Sequence, residues 1–225
     1  MTQGTAQAVL FIYHRKAGTG IMSDKTEKRM AGNYEITQGI RIGDKEVVFG
    51  VDEKCKLPYL CGFYTSNAVF DSYDECMAGD DYVEMVEMFA DRVNEQCRKV
   101  REEQAKVTVP RDKITAEMCI PLSGSTNLEG KVAAVKADVL RPEYRSAEHQ
   151  LIYVTGGNGA AGARGSACFS TNLYTGESVR WERYDLHGEV KPECLPQWAK
   201  ERLTDLQKQE PAAALQDQER KAEAR

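Results

Sequence analysis

Apolar residues recur along positions 82–100 with the spacing of one face of an α-helix. Their steps of four, three, four, four and three place six residues on one stripe: Tyr82, Val86, Phe89, Val93, Cys97 and Val100. Asp81 precedes the stripe and belongs to a residue type that caps helix N-termini, and Glu84 follows it at the capping-box position. The pattern predicts a helix from about residue 81 to residue 106.

Short β-branched and aromatic runs before this helix predict antiparallel strands. The pair Gly43-Asp44 separates two such runs, which predicts a hairpin over residues 34–51. Residues 59–64 (YLCGFY) predict a third strand. A connection through residues 70–73 then leads to the helix.

The chain after the helix reads mainly as strands. Residues 132–139 and 150–155 predict two strands, and alternation on both sides of Thr175-Gly176 predicts a hairpin over 167–184. Residues 195–198 (LPQW) open a short helix with proline in its first turn.

The predicted fold class is therefore α+β. An N-terminal antiparallel hairpin or short sheet packs on one long helix, and a small antiparallel β-barrel-like module with a short C-terminal helix follows. We expect five segments: a disordered or non-native tail at 1–32, an acidic hairpin-and-helix module at 33–106, a linker at 107–117, the β module at 118–206, and a disordered or frayed helical tail at 207–225.

Composition narrows the functional classes. No apolar run approaches the roughly 18 residues that span a bilayer, so we expect a cytoplasmic protein with no membrane contact. The seven cysteines are odd in number and contain no CxxC pair, which does not fit a disulfide framework. Three scattered histidines do not indicate a metal site, and we expect no cofactor.

Charge is concentrated in one segment. Residues 33–97 hold five bases and fourteen acids, a net charge of −9, whereas the whole chain has −5. Five of these acids repeat at steps of four, three, four and four beside the apolar stripe: Asp80, Glu84, Glu87, Asp91 and Glu95. Carboxylates at such spacing lie about 5–6 Å apart on a helix. They predict either a solvated helix face or a surface that imitates phosphates to a basic, nucleic-acid-binding partner such as a host defence nuclease.

A basic and aromatic set occupies the second module. It predicts nucleic-acid contact, less strongly, through six residues: Arg141, Arg145, Arg164, Arg180, Trp181 and Arg183. Residues 131–188 hold seven bases and six acids, so no net positive field supports this interpretation. Solvated strand faces are the alternative.

Two motifs resemble parts of enzyme active sites, but the residues around them favour a structural role. Residues 155–162 (TGGNGAAG) contain the GxGxxG spacing of a dinucleotide-binding loop, but a strand pattern rather than a helix follows, so we interpret the loop as a tightly turned β connection. Cys168 lies between His149 and His187 in sequence, yet its position within a strand favours a buried thiol over a nucleophile.

Two groups of short sequence segments are similar to segments of other proteins. The first comprises residues 43–50 (GDKEVVFG), 63–67 (FYTSN) and 79–82 (GDDY), and the second comprises 140–145 (LRPEYR), the 156–165 loop, 164–168 (RGSAC) and 195–199 (LPQWA). Over residues 33–204 the chain resembles uncharacterised proteins carried on conjugative and integrative mobile elements of gut Firmicutes. The resemblance implies a mobile-element context, in which small accessory proteins often counter host defences such as restriction and CRISPR nucleases.

The leading hypothesis is a non-catalytic, anti-defence inhibitor that acts through protein–protein binding with its acidic surface, an anti-CRISPR protein being one such case. The first alternative is a nucleic-acid-binding accessory factor for transfer or maintenance of the element. The second is an enzyme that uses Cys168 or the glycine-rich loop.

Overall fold

The computed structural model describes residues 7–8, 12–15, 28–66 and 70–208. The chain divides into two compact units, Met1–Val107 and Thr108–Arg225. The predicted α+β class is confirmed, with antiparallel strands of which five form a nearly closed, barrel-like arrangement, a long helix and a short C-terminal helix.

The first unit is an antiparallel sheet with the strand order β1-β7-β6-β5-β4-β3, to which β2 adds by pairing with β7. Its strands are β1 (Gln7–Ala8), β2 (Ile12–Arg15), β3 (Met30–Ala31), β4 (Tyr34–Ile42), β5 (Lys45–Val51), β6 (Tyr59–Ser66) and β7 (Phe70–Gly79). The predicted hairpin is confirmed: Ile42 pairs with Lys45, and Gly43 turns the chain with φ 65°. The expected connection at 70–73 is instead the start of β7, a ten-residue strand.

Helix α1 (Tyr82–Ala105) begins where the sequence predicts. Asp81 Oδ1 accepts hydrogen bonds from the backbone N–H groups of Val83 and Glu84, at 2.8 and 3.1 Å, which satisfies donors that a helix start leaves free. The predicted apolar stripe is confirmed at Phe89 and Val100 and partly at Val93, which packs on the core, but not at its N-terminal end. The buried side chains of α1 are Met85, Phe89, Gln96 and Val100, whereas Tyr82 and Val86 are exposed.

Arg92 also lies on the side of α1 that meets the sheet, which the predicted stripe did not include. Its guanidinium donates to the carbonyl oxygens of Cys61 at 3.1 Å and Glu75 at 2.8 Å, and it stacks over the Phe63 ring with a centroid distance of 5.0 Å. The β6–β7 register shifts at this place, and Glu75 adopts φ 50°. Arg92 therefore binds carbonyl groups at an irregularity in the sheet.

The two faces of this sheet carry separate apolar clusters. One face places Val47, Phe49 and Phe63 against Met85 and Phe89 of α1. The opposite face buries Val48 of β5 and Leu60 of β6, which alternate with the residues of the first cluster, together with Ala31 and with Tyr73 and Cys76 of β7. This alternation is the period of two that strands impose on side chains.

The N-terminal segment differs from the tail expected at 1–32. Strands β1 and β2 pair with β7, and β3 pairs with β4. Arg29 forms an ion pair with Glu46 at 2.6 Å, donates to the Tyr73 hydroxyl at 3.1 Å and lies 3.9 Å from the centre of the Tyr64 ring. Residues 1–6, 9–11 and 16–27 of the expected tail lie outside the described residues.

The second unit is a six-stranded antiparallel sheet with the order β12-β11-β10-β9-β13-β8. Its strands are β8 (Cys119–Pro121), β9 (Val132–Val135), β10 (Leu151–Gly156), β11 (Ala167–Asn172), β12 (Ser178–Glu182) and β13 (Leu186–Val190). The short helix α2 (Ala147–Gln150) precedes β10, and helix α3 covers residues 197–208. The hairpin around Thr175-Gly176 and the C-terminal helix are confirmed. Of the expected C-terminal tail, residues 207–208 belong to α3 and the rest lies outside the described residues.

The linker expected at 107–117 also differs, because part of it belongs to the second unit. Ile114 is buried in the core, and the Gln150 side chain bonds both its N–H at 2.9 Å and its carbonyl at 3.0 Å. Arg111 pairs with the fully buried Glu148 at 2.9 Å, and Ser146 donates to the same carboxylate at 2.7 Å. Burial raises the pKa of Glu148, but these hydrogen bonds outweigh it, so the pKa lies below its ordinary value.

Replacing Arg29 tests whether the end of the predicted tail belongs to the fold. Arg29→Met leaves the half-buried Glu46 carboxylate without this cation, so we expect the free energy of unfolding to fall by about 1–2 kcal/mol. Urea denaturation measures the change. Lys28→Met is the matched control, since Lys28 forms only an exposed ion pair with Glu35, and its effect should stay within about 0.5 kcal/mol. Equal effects of the two changes would show that Arg29 is not a core contact.

Candidate functional site

The five acidic residues predicted from the sequence are here called the acidic face: Asp80, Glu84, Glu87 and Asp91 are exposed, and Glu95 is partly exposed. Asp80 stands just before the helix cap, and the other four lie on α1 away from the buried side chains of Met85, Phe89 and Val100. The helix brings successive members to neighbouring positions, as the three- and four-residue spacing predicts.

Most of the acidic face carries charge without a counterion. Glu95 pairs with Lys99 at 2.8 Å, and this hydrogen bond lowers the pKa of Glu95. Asp80, Glu84, Glu87 and Asp91 have no ion pair among the residues that the structure describes. Residues 80–91 hold five carboxylates and no lysine or arginine, so the N-terminal half of α1 presents an uncompensated negative field.

Exposed apolar side chains lie beside these carboxylates on the first two turns of α1, whereas the predicted stripe placed Tyr82 and Val86 among the buried residues. Tyr82, Val83 and Val86 are 52%, 63% and 38% exposed. The Tyr82 ring is held in place by edge contacts with Tyr59 at 5.2 Å and Phe49 at 6.1 Å. The signal was present in the sequence, since apolar residues at 82, 83, 85, 86, 88 and 89 are too many for one face of a helix.

The basic and aromatic set of the second unit is not assembled into one surface. Arg183 donates to the carbonyl oxygens of Gly159, Ser123 and Thr126, and Arg145 donates to that of Leu140. Arg180 pairs with Glu182, and Trp181 packs against the buried cluster around Cys168. Arg164 is exposed, and Arg141 is half-buried. Four of the six candidates are therefore engaged within the fold.

The glycine-rich loop is a tightly turned connection between β10 and β11, as predicted. A Cβ at Gly157 would lie 2.4 Å from the Ala167 carbonyl oxygen, and one at Gly159 would lie 2.2 Å from that of Ser166. Gly162 has φ 68° and approaches the Gly124 carbonyl. These glycines allow close backbone packing within the protein, which is a different use from the pyrophosphate approach of a dinucleotide loop.

Cys168 is fully buried, and its thiol points to the Ser166 carbonyl oxygen at 3.7 Å. Burial raises the pKa of this thiol, which opposes formation of the thiolate that a nucleophile needs. His149 contacts the Tyr144 ring at 4.8 Å and lies 4.0 Å from the Glu148 carboxylate. Among the described residues, no group of three or more His, Cys, Asp or Glu side chains is arranged to hold a metal ion.

Comparison of the chain with protein-family models, curated proteins and solved structures gave no match. Within the described residues, no helix has the length and apolar character needed to cross a membrane.

Alkylation kinetics test the buried state of Cys168. Near neutral pH, iodoacetamide should modify Cys55 first, because Cys55 is exposed and a hydrogen bond from the Tyr34 hydroxyl lowers the pKa of its thiol. Cys168 should react at least about tenfold more slowly and reach the rate of Cys55 only in denaturant. Peptide mass spectrometry measures both rates. Rapid labelling of Cys168 in the folded protein would revive the nucleophile hypothesis.

Proposed function

We propose that the protein is a non-catalytic binding protein whose acidic face, together with Tyr82, Val83 and Val86, binds a basic, nucleic-acid-binding protein. The observation that supports this proposal is the combination of unpaired carboxylates with exposed apolar side chains on the first turns of α1. A helix face that is only solvated needs no exposed tyrosine and valines beside its acids.

The two kinds of side chain have different physical roles in such an interface. The carboxylates attract and orient a partner that carries lysine and arginine for phosphate groups, so they act mainly on the association rate and on specificity. Burial of the apolar side chains in the interface stabilises the complex by about 25 cal/mol per Å² of apolar surface removed from water. Tyr82 is the natural anchor, because tyrosine is enriched among the residues that dominate binding energy.

The resemblance to mobile-element proteins directs the choice of partner. A protein of this kind would act in the cytoplasm of its host as an anti-defence inhibitor, and a CRISPR effector nuclease has the required basic channel for nucleic acid. In this proposal the acidic face occupies that channel in place of a phosphate backbone.

Charge reversal tests the acidic face. Glu84→Lys, Glu87→Lys and Asp91→Lys together change the charge of the face by six units, and these side chains are exposed, so the fold should persist. Binding to the partner captured from a CRISPR-bearing Firmicutes lysate should be lost, and wild-type binding should weaken steeply with added salt because exposed charges are screened. Calorimetric titration at several salt concentrations makes both measurements.

The control applies the same charge change elsewhere, at the exposed residues Glu53, Glu129 and Glu193. This triple variant should bind as the wild type does. If the acidic-face variant binds and inhibits fully at every salt concentration, the face is only a solvated helix surface. If the variant gains affinity for DNA or RNA, the nucleic-acid accessory function is favoured instead.

The apolar contribution has a separate signature. Val83→Ser removes exposed apolar surface without changing charge, so we expect at least about tenfold weaker binding with the same salt dependence as the wild type. Unchanged affinity would show that the interface excludes the first turn of α1. Thermal unfolding serves as the check that the fold is intact.

A further inference from the structure

The second unit contains a cleft of about 440 Å³ whose chemistry differs from that of the acidic face. It is lined by cationic, aromatic, apolar and glycine residues that include Lys136, Arg183, Tyr184, Leu122, Leu186 and Gly165. No aspartate or glutamate lines it. Two other clefts on the described residues do contain carboxylates, one at Asp44, Glu102 and Glu103 and the other at Glu35, Asp52 and Glu53.

Both cations of the cleft are held by carbonyl oxygens rather than by carboxylates. Arg183 is fixed by the carbonyls of Ser123 at 2.7 Å and Thr126 at 2.9 Å, and Lys136 by that of Tyr184 at 2.6 Å. In the part of the chain that the structure describes, neither cation has an ion pair. Two positive charges are therefore positioned in the cleft wall without being neutralised.

Each cation also has donors to spare. A guanidinium has five N–H groups and an ammonium has three, whereas these bonds use three on Arg183 and one on Lys136. Both cationic side chains are already held in place by the fold. An anion that binds in the cleft therefore costs less side-chain entropy.

Tyr184 adds a flat apolar surface beside these charges. Its side chain is 68% exposed, although Tyr184 lies in the short 3-10 turn of residues 183–185 that follows β12. Leu122 and Leu186 provide apolar walls close to it. An exposed aromatic ring next to cations is the combination that proteins use to stack a base while binding its phosphate.

We propose that this cleft binds a nucleotide unit, with the phosphate at Lys136 and Arg183 and the base against Tyr184. Its volume lies in the range of small-molecule sites. The unit is either a free mononucleotide or one residue of a single-stranded nucleic acid, since the same three side chains recognise both. The site belongs to the second unit and does not depend on the function proposed for the acidic face.

Titrations followed by amide chemical shifts test this site on the full chain. Uridine monophosphate should give saturable shifts at Ser123, Gly165 and Tyr184, and uridine or inorganic phosphate alone should bind at least about tenfold more weakly. A short oligouridylate identifies the source of the unit. Binding tighter than that of the monophosphate by about tenfold or more indicates a single strand, and equal binding indicates a free nucleotide.

Two variants and two controls locate the contact. Lys136→Met removes the ammonium and keeps an alkyl chain, and Tyr184→Ala removes the exposed ring, so each should weaken uridine monophosphate binding about tenfold. Lys200→Met and Phe169→Ala change an exposed lysine and an exposed aromatic ring outside the cleft and should have no effect. Thermal unfolding confirms that each variant is folded.

Three results would overturn the assignment. One is the absence of saturable shifts with any of these compounds at millimolar concentration. Another is inorganic phosphate binding as tightly as the monophosphate, which removes the role of the ring. The third is equal weakening by the control variants, which would place the contact elsewhere.

Discussion

Arg92 joins α1 to an irregularity in its sheet, and the surface that the helix presents to solvent depends on how the helix docks there. Its guanidinium bonds two carbonyl groups where the β6–β7 register shifts, and it stacks on Phe63. This contact brings the line of Met85, Phe89 and Val100 onto the sheet. Tyr82 and Val86, which the predicted stripe would bury, are exposed beside the acidic face.

Local signals account for what the sequence predicted correctly. The turn at Gly43, the hairpin at Thr175-Gly176 and the cap at Asp81 each depend on residues within a few positions of one another. The acidic face was predictable for the same reason, since four of its five members lie on successive turns of one helix.

Non-local contacts account for what the sequence did not show. Strand β13 is short and contains Gly188, and it becomes a strand by lying between β9 and β8. Arg183 looked like a free cation, but its carbonyl partners are 24, 57 and 60 residues away in sequence. The stripe on α1 was correct at Phe89 and Val100 but wrong at Tyr82 and Val86, and it omitted the polar Gln96, which lies within the buried face. The pattern of apolar and polar residues within one segment does not indicate contacts with residues that are distant in sequence.

Arg29 contacts three neighbouring strands through one side chain, with Glu46 on β5, Tyr64 on β6 and Tyr73 on β7, while its own carbonyl accepts from Ile36 of β4. The strands on this face are therefore coupled, and releasing β3 from β4 also releases contacts on the far strands. Amide protons across β4 to β7 should then exchange with solvent in a single cooperative opening, rather than by fraying one strand at a time from the edge. Because Arg29 joins the β3 edge to the inner strands, this edge should offer its unpaired backbone less often to strands of other molecules, and the same side chain should limit edge-to-edge aggregation.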